Sequence, residues 1–356
     1  MTVRYIGKSS GVPCAPYPTF SRRLTALWRA RRALHQATYM SHPKRIYELL
    51  LDYAAGDTKT AAVNIGLVWT SCTSVERHTG LAMSPQLPTR TLSWPGTLAG
   101  KTLGELAGWL TDWEPYKATV GMAAINCSLN QHELPSGLTL LPAPELGNLA
   151  VFEHFLPLLQ GKKVVVVGRY PGIERYADTI NLSIIERQPQ HTDYPDPACE
   201  FLIPDADWVF LTASSITNKT FPHLAALAQH AKTVLMGPTV PWLPELHTFG
   251  IDYLAGVEVV DAGKLCQTIA EGGGVRIFED SVRYRIVELT PDNSMNWLKK
   301  RIADDYDDKQ RLTSAMEHWY GTGNKTRFPE FNRLNQITTR LSRMDLSYKH
   351  LWDSQH

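Results

Sequence analysis

The sequence predicts an α/β protein in which a parallel-sheet domain follows a small α+β domain, with helical extensions at both ends. Three observations carry this. Residues 162–168, 204–212, 232–238 and 250–256 are short apolar runs that each stop at a small or hydroxylated residue. Loop-like or helix-like segments separate them, which is the pattern of parallel strands buried on both faces. Upstream, strand-like stretches precede two helix-like ones, as in an α+β unit, and at the far end apolar residues recur at helical spacing.

At 356 residues the chain has room for about two domains, and 43% hydrophobic residues supply their cores. Net charge is +1, which argues against nucleic acid as a partner, because such grooves carry a basic surplus. No apolar run approaches the roughly 20 residues of a membrane helix, so no membrane span is expected. The cysteines (Cys14, Cys72, Cys127, Cys199 and Cys266) are odd in number and scattered, with no Cys-x-x-Cys pair. That spacing points to reduced, mostly buried thiols in a cytoplasmic protein, not to a disulfide framework or a structural zinc site.

Residues 1–40 read as a basic extension. The first 47 residues hold nine Arg or Lys and no Asp or Glu, and Arg22, Arg23, Arg29, Arg31 and Arg32 flank Leu24, Leu27 and Trp28. A surface helix with Arg stems over apolar surface accounts for them; a transit peptide or a basic amphipathic helix is the alternative. The α+β domain is expected over 41–137. Ser41 and Pro43 open a helix carrying Ile46, Leu49, Leu50 and Tyr53, and Gly56 ends it. Residues 62–70 then read as one strand, with shorter strands at 80–83 and 89–94. Helices follow at 101–113 and 116–129.

Residues 138–149 read as a linker. The parallel-sheet domain spans 150–289, opening with a helix at 151–159 and including a strand at 181–185. The helical extension is 290–356. Its acidic run, Asp304, Asp305, Asp307 and Asp308, is expected to be solvated. Beyond it, Leu334, Ile337, Leu341, Met344, Tyr348 and Leu351 step by three and four and form one apolar stripe on a helix. Packing on its own subunit is the plainer reading of that stripe, and a homodimer contact through the C-terminal helix is the second.

The loops after the strands carry the chemistry. A dinucleotide turn wants Gly-x-Gly-x-x-Gly so that backbone can approach a pyrophosphate. Here the chain reads Gly168-Arg169-Tyr170-Pro171-Gly172, which lacks the second and third glycines and puts Arg169 and Tyr170 in the way. Standard NAD binding is therefore disfavoured. Glu186 ends the 181–185 strand, where dinucleotide folds place a ribose-binding acid; capping a loop, or pairing with Arg187 or Arg175, is the plainer role. Thr212, Ser214, Asn218 and Thr220 put hydroxyls and an amide where the 208–211 strand stops. They suit a polar or anionic ligand, although capping by Thr217 or Asn218 needs none. Gly237-Pro238-Thr239-Val240-Pro241-Trp242 is a rigid loop, and Trp242 either stacks on a flat ligand or packs between domains. Metal-ligand types recur close together as Cys72 with His78, Cys127 with His132, and His191 with Asp193. None of these spacings matches a metal signature.

Blocks of residues also occur in a recognisable order. They run from Val167-Gly168 through Ile185-Glu186, Pro204-Asp205-Ala206-Asp207, Leu211-Thr212, Asn218-Lys219-Thr220, Gly237-Pro238 and Leu254-Ala255-Gly256 to Val260-Asp261. Over about 149–274 the chain resembles the "putative heavy-metal chelation" family of unknown function. The preceding segment, marked by Ile65-Gly66-Leu67-Val68-Trp69-Thr70, Gly100-Lys101-Thr102-Leu103 and Gly121-Met122-Ala123-Ala124-Ile125-Asn126, resembles the enolase-N-terminal-like domain usually found beside it. The resemblance implies a Rossmann-like second domain and a site in the cleft between the two. It implies Thr70, Asn126, Glu186, Thr212, Asn218, Thr220 and Gly237 as cleft residues; Gly168, Arg169, Tyr170, Ser214, Pro238 and Trp242 join them by position. It covers neither the first 40 residues nor those beyond about 290.

The expected function is binding or handling of a small ligand, a metal ion or a metal complex in that cleft, with a transition metal ion as the suggested cofactor. An enzyme using an adenosine-containing cofactor, adenosylmethionine or a dinucleotide, on a metal-chelating small molecule is the alternative, with Glu186 on the ribose. A scaffold that recruits a partner through the C-terminal helix is a third reading.

Overall fold

Gly66 divides the stretch that reads as one strand over 62–70. Its N–H bonds to the Trp69 carbonyl at 2.9 Å and turns the chain back on itself. The computed structural model describes residues 42–355 except 55, 90, 133, 136, 143–146 and 191. The expected basic extension, Ser41, Cys14 and the metal candidate His191 therefore lie outside the described residues.

After α1 (Arg45–Ala54) the chain forms an antiparallel sheet in sequence order: β1 (Thr60–Ile65), β2 (Trp69–Ser74) and β3 (Thr79–Met83). The strand expected at 89–94 is not formed among the described residues; instead Thr97 folds back on the Trp94 carbonyl. Two helices follow, the second of them packed on this sheet. α2 (Leu103–Ala107) is opened by a reciprocal cap in which Thr102 accepts from Glu105 N–H and Glu105 accepts from Thr102 N–H. α3 (Pro115–Leu129) starts on Glu114, whose carboxylate takes the Tyr116 and Lys117 N–H groups. From Ala118 to Leu129 α3 is buried on every side, as expected for a helix apolar all round.

The seven-stranded sheet is built from β4 (Thr139–Leu140), β5 (Lys163–Val167), β6 (Asn181–Ile185), β7 (Trp208–Thr212), β8 (Lys232–Met236), β9 (Tyr253–Val259) and β10 (Val282–Glu288). Its order is β4-β10-β9-β8-β7-β5-β6. Strands β5 to β9 are parallel, and β10 runs antiparallel between β9 and β4. The segment read as a linker thus supplies an edge strand. Because alternate residues point to opposite faces, Val165, Val167, Val209 and Leu211 feed one core while Val164, Val166 and Phe210 feed the other.

The helices between these strands complete the two cores. They are α4 (Ala150–Leu159), α5 (Cys199–Leu202), α6 (Ser214–Thr217), α7 (Phe221–Leu227), α8 (Ala262–Ala270) and α9 (Ile277–Asp280). Helices α4, α8 and α9 close the Val164 face; α6, α7 and the α1–α3 unit close the Val165 face. Taken in chain order, the parallel strands lie second, first, third, fourth, fifth. Connections leave the sheet's centre in opposite directions between β5 and β7, and their carboxyl ends form the topological switch point.

Two long helices end the chain, α10 (Pro291–Gly321) and α11 (Phe331–Gln355). Thr290 caps α10 and Pro291 occupies its first turn. The pair is antiparallel, with Gln355 on Asp292, Arg340 on Asp305 and Arg333 on Asp308. The apolar stripe of α11 is buried against its own chain at Leu334, Ile337, Leu341, Met344 and Leu351. Asp305 departs from the expected solvated run: it is 4% exposed and bound to Arg340 by two hydrogen bonds of 2.6 and 2.5 Å. Arg301, Arg340 and Arg343 approach the Tyr53 ring at 5.2, 5.7 and 4.8 Å, and Glu245 accepts the Tyr53 hydroxyl at 2.7 Å. Arg343 pairs with Asp52 of α1. Among the described residues no helix is long and apolar enough to cross a membrane.

Candidate functional site

At the switch point β5 ends in a left-handed turn at Gly168 (φ +94°), whose N–H bonds to the Ile185 carbonyl at 2.8 Å. A side chain there would be strained by the backbone and would press on Thr212, since a Cβ would lie 3.0 Å from its Cγ2. Glu186 closes the corner. One carboxylate oxygen accepts the Arg169 N–H at 2.8 Å and the other the Gln188 N–H at 3.2 Å. The Arg169 guanidinium turns away from the crevice to Asp193 (2.6 Å) and Glu174 (3.0 Å).

Tyr170 does the opposite and turns inward. Its ring meets Phe152 edge-on at 5.4 Å, and its hydroxyl lies beside Thr212 and 3.5 Å from the Met236 carbonyl, toward which it donates. Burial pushes the phenol well above its ordinary range, so it stays protonated. Thr212 shares a hydrogen bond of 3.0 Å with the Ser214 hydroxyl. Gly237 follows β8 in another left-handed turn (φ +108°) and passes close to the same phenol. The structure thus brings Gly168, Tyr170, Thr212, Ser214 and Gly237 together at the carboxyl ends of β5, β7 and β8.

Other sequence candidates fall elsewhere. Asn218 is exposed on the turn after α6, and the Thr220 N–H bonds to the Ser215 carbonyl. Thr70 is fully buried and bonds to Ser84 at 2.9 Å. Asn126 stitches the α+β unit to the sheet: its amide donates to the Leu81 carbonyl at 2.7 Å and the Thr239 carbonyl at 3.0 Å, while its own oxygen is buried without a partner. Thr239 completes the seam by accepting the Met83 N–H at 2.9 Å. Pro238 lines a void of about 10 Å³ in this seam with Asn126 and Trp242. Trp242 is 3% exposed, packs on Gly256 and takes the packing role of its two readings.

The metal candidates are re-paired in space. Among the described residues no group of three or more His, Cys, Asp or Glu is placed to hold a metal ion. Cys72 and Cys127, which sequence spacing assigns to different histidines, are fully buried and lie thiol to thiol. The Cys127 thiol, and then burial, push the Cys72 thiol above its usual range. Cys127 donates to the backbone carbonyl of His78 at 3.2 Å, not to its ring. Burial, then Arg301 and Arg340, pull the His132 imidazole down to about 4.

Lys219 is a residue that sequence reasoning passed over, although its neighbours Asn218 and Thr220 were singled out. It adopts φ +66°, and its ammonium donates to the Leu110 and Thr217 carbonyls at 2.6 and 3.1 Å. Burial pulls it down to about 8, against an opposing pull from Asp112. No spacing rule flags a lone lysine in a turn. A cavity of about 920 Å³ lies between β1 and residues 86–99, lined by groups such as Ile65, Leu67, Leu92 and Trp94. The Tyr116 hydroxyl on its wall already donates to the Leu87 carbonyl. Among the described residues its lining holds no titratable cluster, so the switch-point crevice is the better candidate.

Comparison with known proteins agrees with this architecture. Residues 150–288 match the DUF364 family and residues 47–129 the DUF4213 family, both described as "Putative heavy-metal chelation". An uncharacterized protein of Methanocaldococcus jannaschii is 28% identical over 200 residues, covering 53% of this chain and 73% of that protein. Among solved structures, a DUF364 protein of unknown function from Desulfitobacterium hafniense is 27% identical with a TM-score of 0.57, covering 69% of this chain and 98% of that one. A second DUF364 protein of unknown function, from Pyrococcus horikoshii, is 23% identical (TM-score 0.56; 69% and 99% covered) and supports the fold alone. With both matches in order along its length, the chain carries a DUF4213 domain followed by a DUF364 domain, both families described as "Putative heavy-metal chelation".

Proposed function

We propose that the protein binds a small, oxygen-rich ligand, a metal chelate, in the crevice at the carboxyl ends of β5, β7 and β8. One observation carries this reading: the hydroxyls of Tyr170, Thr212 and Ser214 converge between two left-handed glycine turns, at the switch point. Hydroxyls both donate and accept, so they suit the carboxylate and hydroxyl oxygens of a chelating molecule. Among the described residues no thiol, imidazole or carboxylate stands between these hydroxyls to bind the metal directly. The cargo in this reading is therefore a metal whose coordination its own chelator already fills. The family description motivates the metal; the hydroxyl cluster motivates the chelator.

The adenosine reading finds no comparable support. Glu186 accepts the backbone N–H groups of Arg169 and Gln188, one on each oxygen, so closing that corner accounts for its position without a ribose. The scaffold reading needs the α11 stripe, which is buried on its own chain.

Thermal shift tests the proposal, with iron(III) citrate, citrate and an iron salt each added separately. At about a hundredfold excess over Kd, the loaded chelate should raise Tm by about 5 °C. Thr212→Val should remove the shift while leaving the ligand-free melting within about a degree. A shift of equal size in Thr212→Val, or none with the loaded chelate, counts against the crevice.

A further inference from the structure

We propose that Cys72 and Cys127 form a metal site of their own, which takes one soft d10 cation (copper(I), silver(I) or mercury(II)) between two thiolates. This site lies within the α+β unit and does not depend on the crevice reading.

Register and packing create the pair. Cys72 stands opposite Gly80 across the β2–β3 ladder, so the two residues share a face of the sheet, and the glycine leaves its place on that face empty. Helix α3 fills it: a Cβ on Gly80 would lie 2.0 Å from the Cys127 backbone nitrogen. The Cys127 sulfur therefore meets the Cys72 sulfur over a residue with no side chain, and both cysteines are 0% exposed.

Polar groups surround the two sulfurs. Thr60 is 1% exposed, and its hydroxyl lies beside Cys72 with no hydrogen-bond partner. The Ser74 N–H is taken by the His78 carbonyl at 2.9 Å, but the Ser74 hydroxyl lies beside Cys127. Donors placed in this way stabilise negative charge on sulfur, which two buried thiolates require. Thiolates select soft ions over oxygen-seeking cations, and a d10 ion accepts linear coordination by two donors, so no third ligand is needed.

Loading is an exchange without electron transfer. Two S–H bonds break, two sulfur–metal bonds form, two protons pass to solvent, and the metal keeps its oxidation state. The route in is the β2–β3 turn directly beside the pair, where Val75 is 58% exposed and Glu76 and Arg77 are exposed as well. A short exposed turn opens locally without global unfolding.

The test uses the full chain with Cys14, Cys199 and Cys266 replaced by serine, reduced and titrated with silver nitrate. Native mass spectrometry should find one silver ion per chain, and X-ray absorption should find two sulfur neighbours. Adding Cys127→Ala should abolish uptake. The proposal fails if the folded three-serine protein takes up no silver. It fails equally if the bound silver has oxygen or nitrogen neighbours, or if uptake survives Cys127→Ala. The first two readings decide the matter even if the alanine variant does not fold.

Discussion

His132 sits just past the end of α3, its N–H on the Leu129 carbonyl, and burial, followed by two arginines from the C-terminal helices, holds its imidazole neutral. Its folded value, about 4, lies below the ordinary value of 6.5. The unfolded chain therefore binds the proton more readily in this window. The residue's stabilising contribution is fully present above about pH 6.5 and is lost as pH falls through about 4. Tm of the wild type should fall over that range more steeply than Tm of His132→Gln, by an amount worth at most about 3 kcal/mol. Parallel pH profiles for the two proteins would show that His132 is not the group responsible.

At this scale the sequence was legible where chemistry is local. Arg169 and Tyr170 show by bulk alone that the Gly168 turn departs from a dinucleotide loop. What the sequence could not convey is which way each turns: Arg169 outward to Asp193, Tyr170 inward to Thr212. Nor could it pair Cys72 with Cys127, because that contact is made by strand register and by a missing side chain at Gly80, not by spacing.

Among elements, a buried ion pair joins α10 to α11. The side chains of Arg340 and Asp305 are only 8% and 6% exposed. Asp305→Asn would leave a buried guanidinium without its counter-charge, which should cost about 3–5 kcal/mol in a urea titration. A loss below about 1 kcal/mol would mean that the helices hold without it. The stripe of α11 was readable because burial of one face repeats every three to four residues. Asp305 was not, since nothing in a run of aspartates says which of them faces an arginine. The strand read over 62–70 failed for a related reason. Val63, Ile65, Leu67 and Trp69 keep perfect alternation, and the Gly66 turn between β1 and β2 interrupts it only in space.

Over the whole molecule, parallel strands in the order second, first, third, fourth, fifth put one crevice at the centre of the sheet, and the α+β unit is stitched beside it through Asn126, Met83 and Thr239. The apolar runs made the parallel strands legible, because strands buried on both faces have no polar alternation to hide them. Their order in the sheet is a property of crossovers, which no single run encodes. The central claim is that this crevice, rather than the apolar cavity by β1, receives the ligand. Amide hydrogen exchange with and without iron(III) citrate tests it most directly. Protection confined to residues 168–171, 212–216 and 237–239 is the predicted result, and protection confined to residues 61–67 and 86–99 would contradict it.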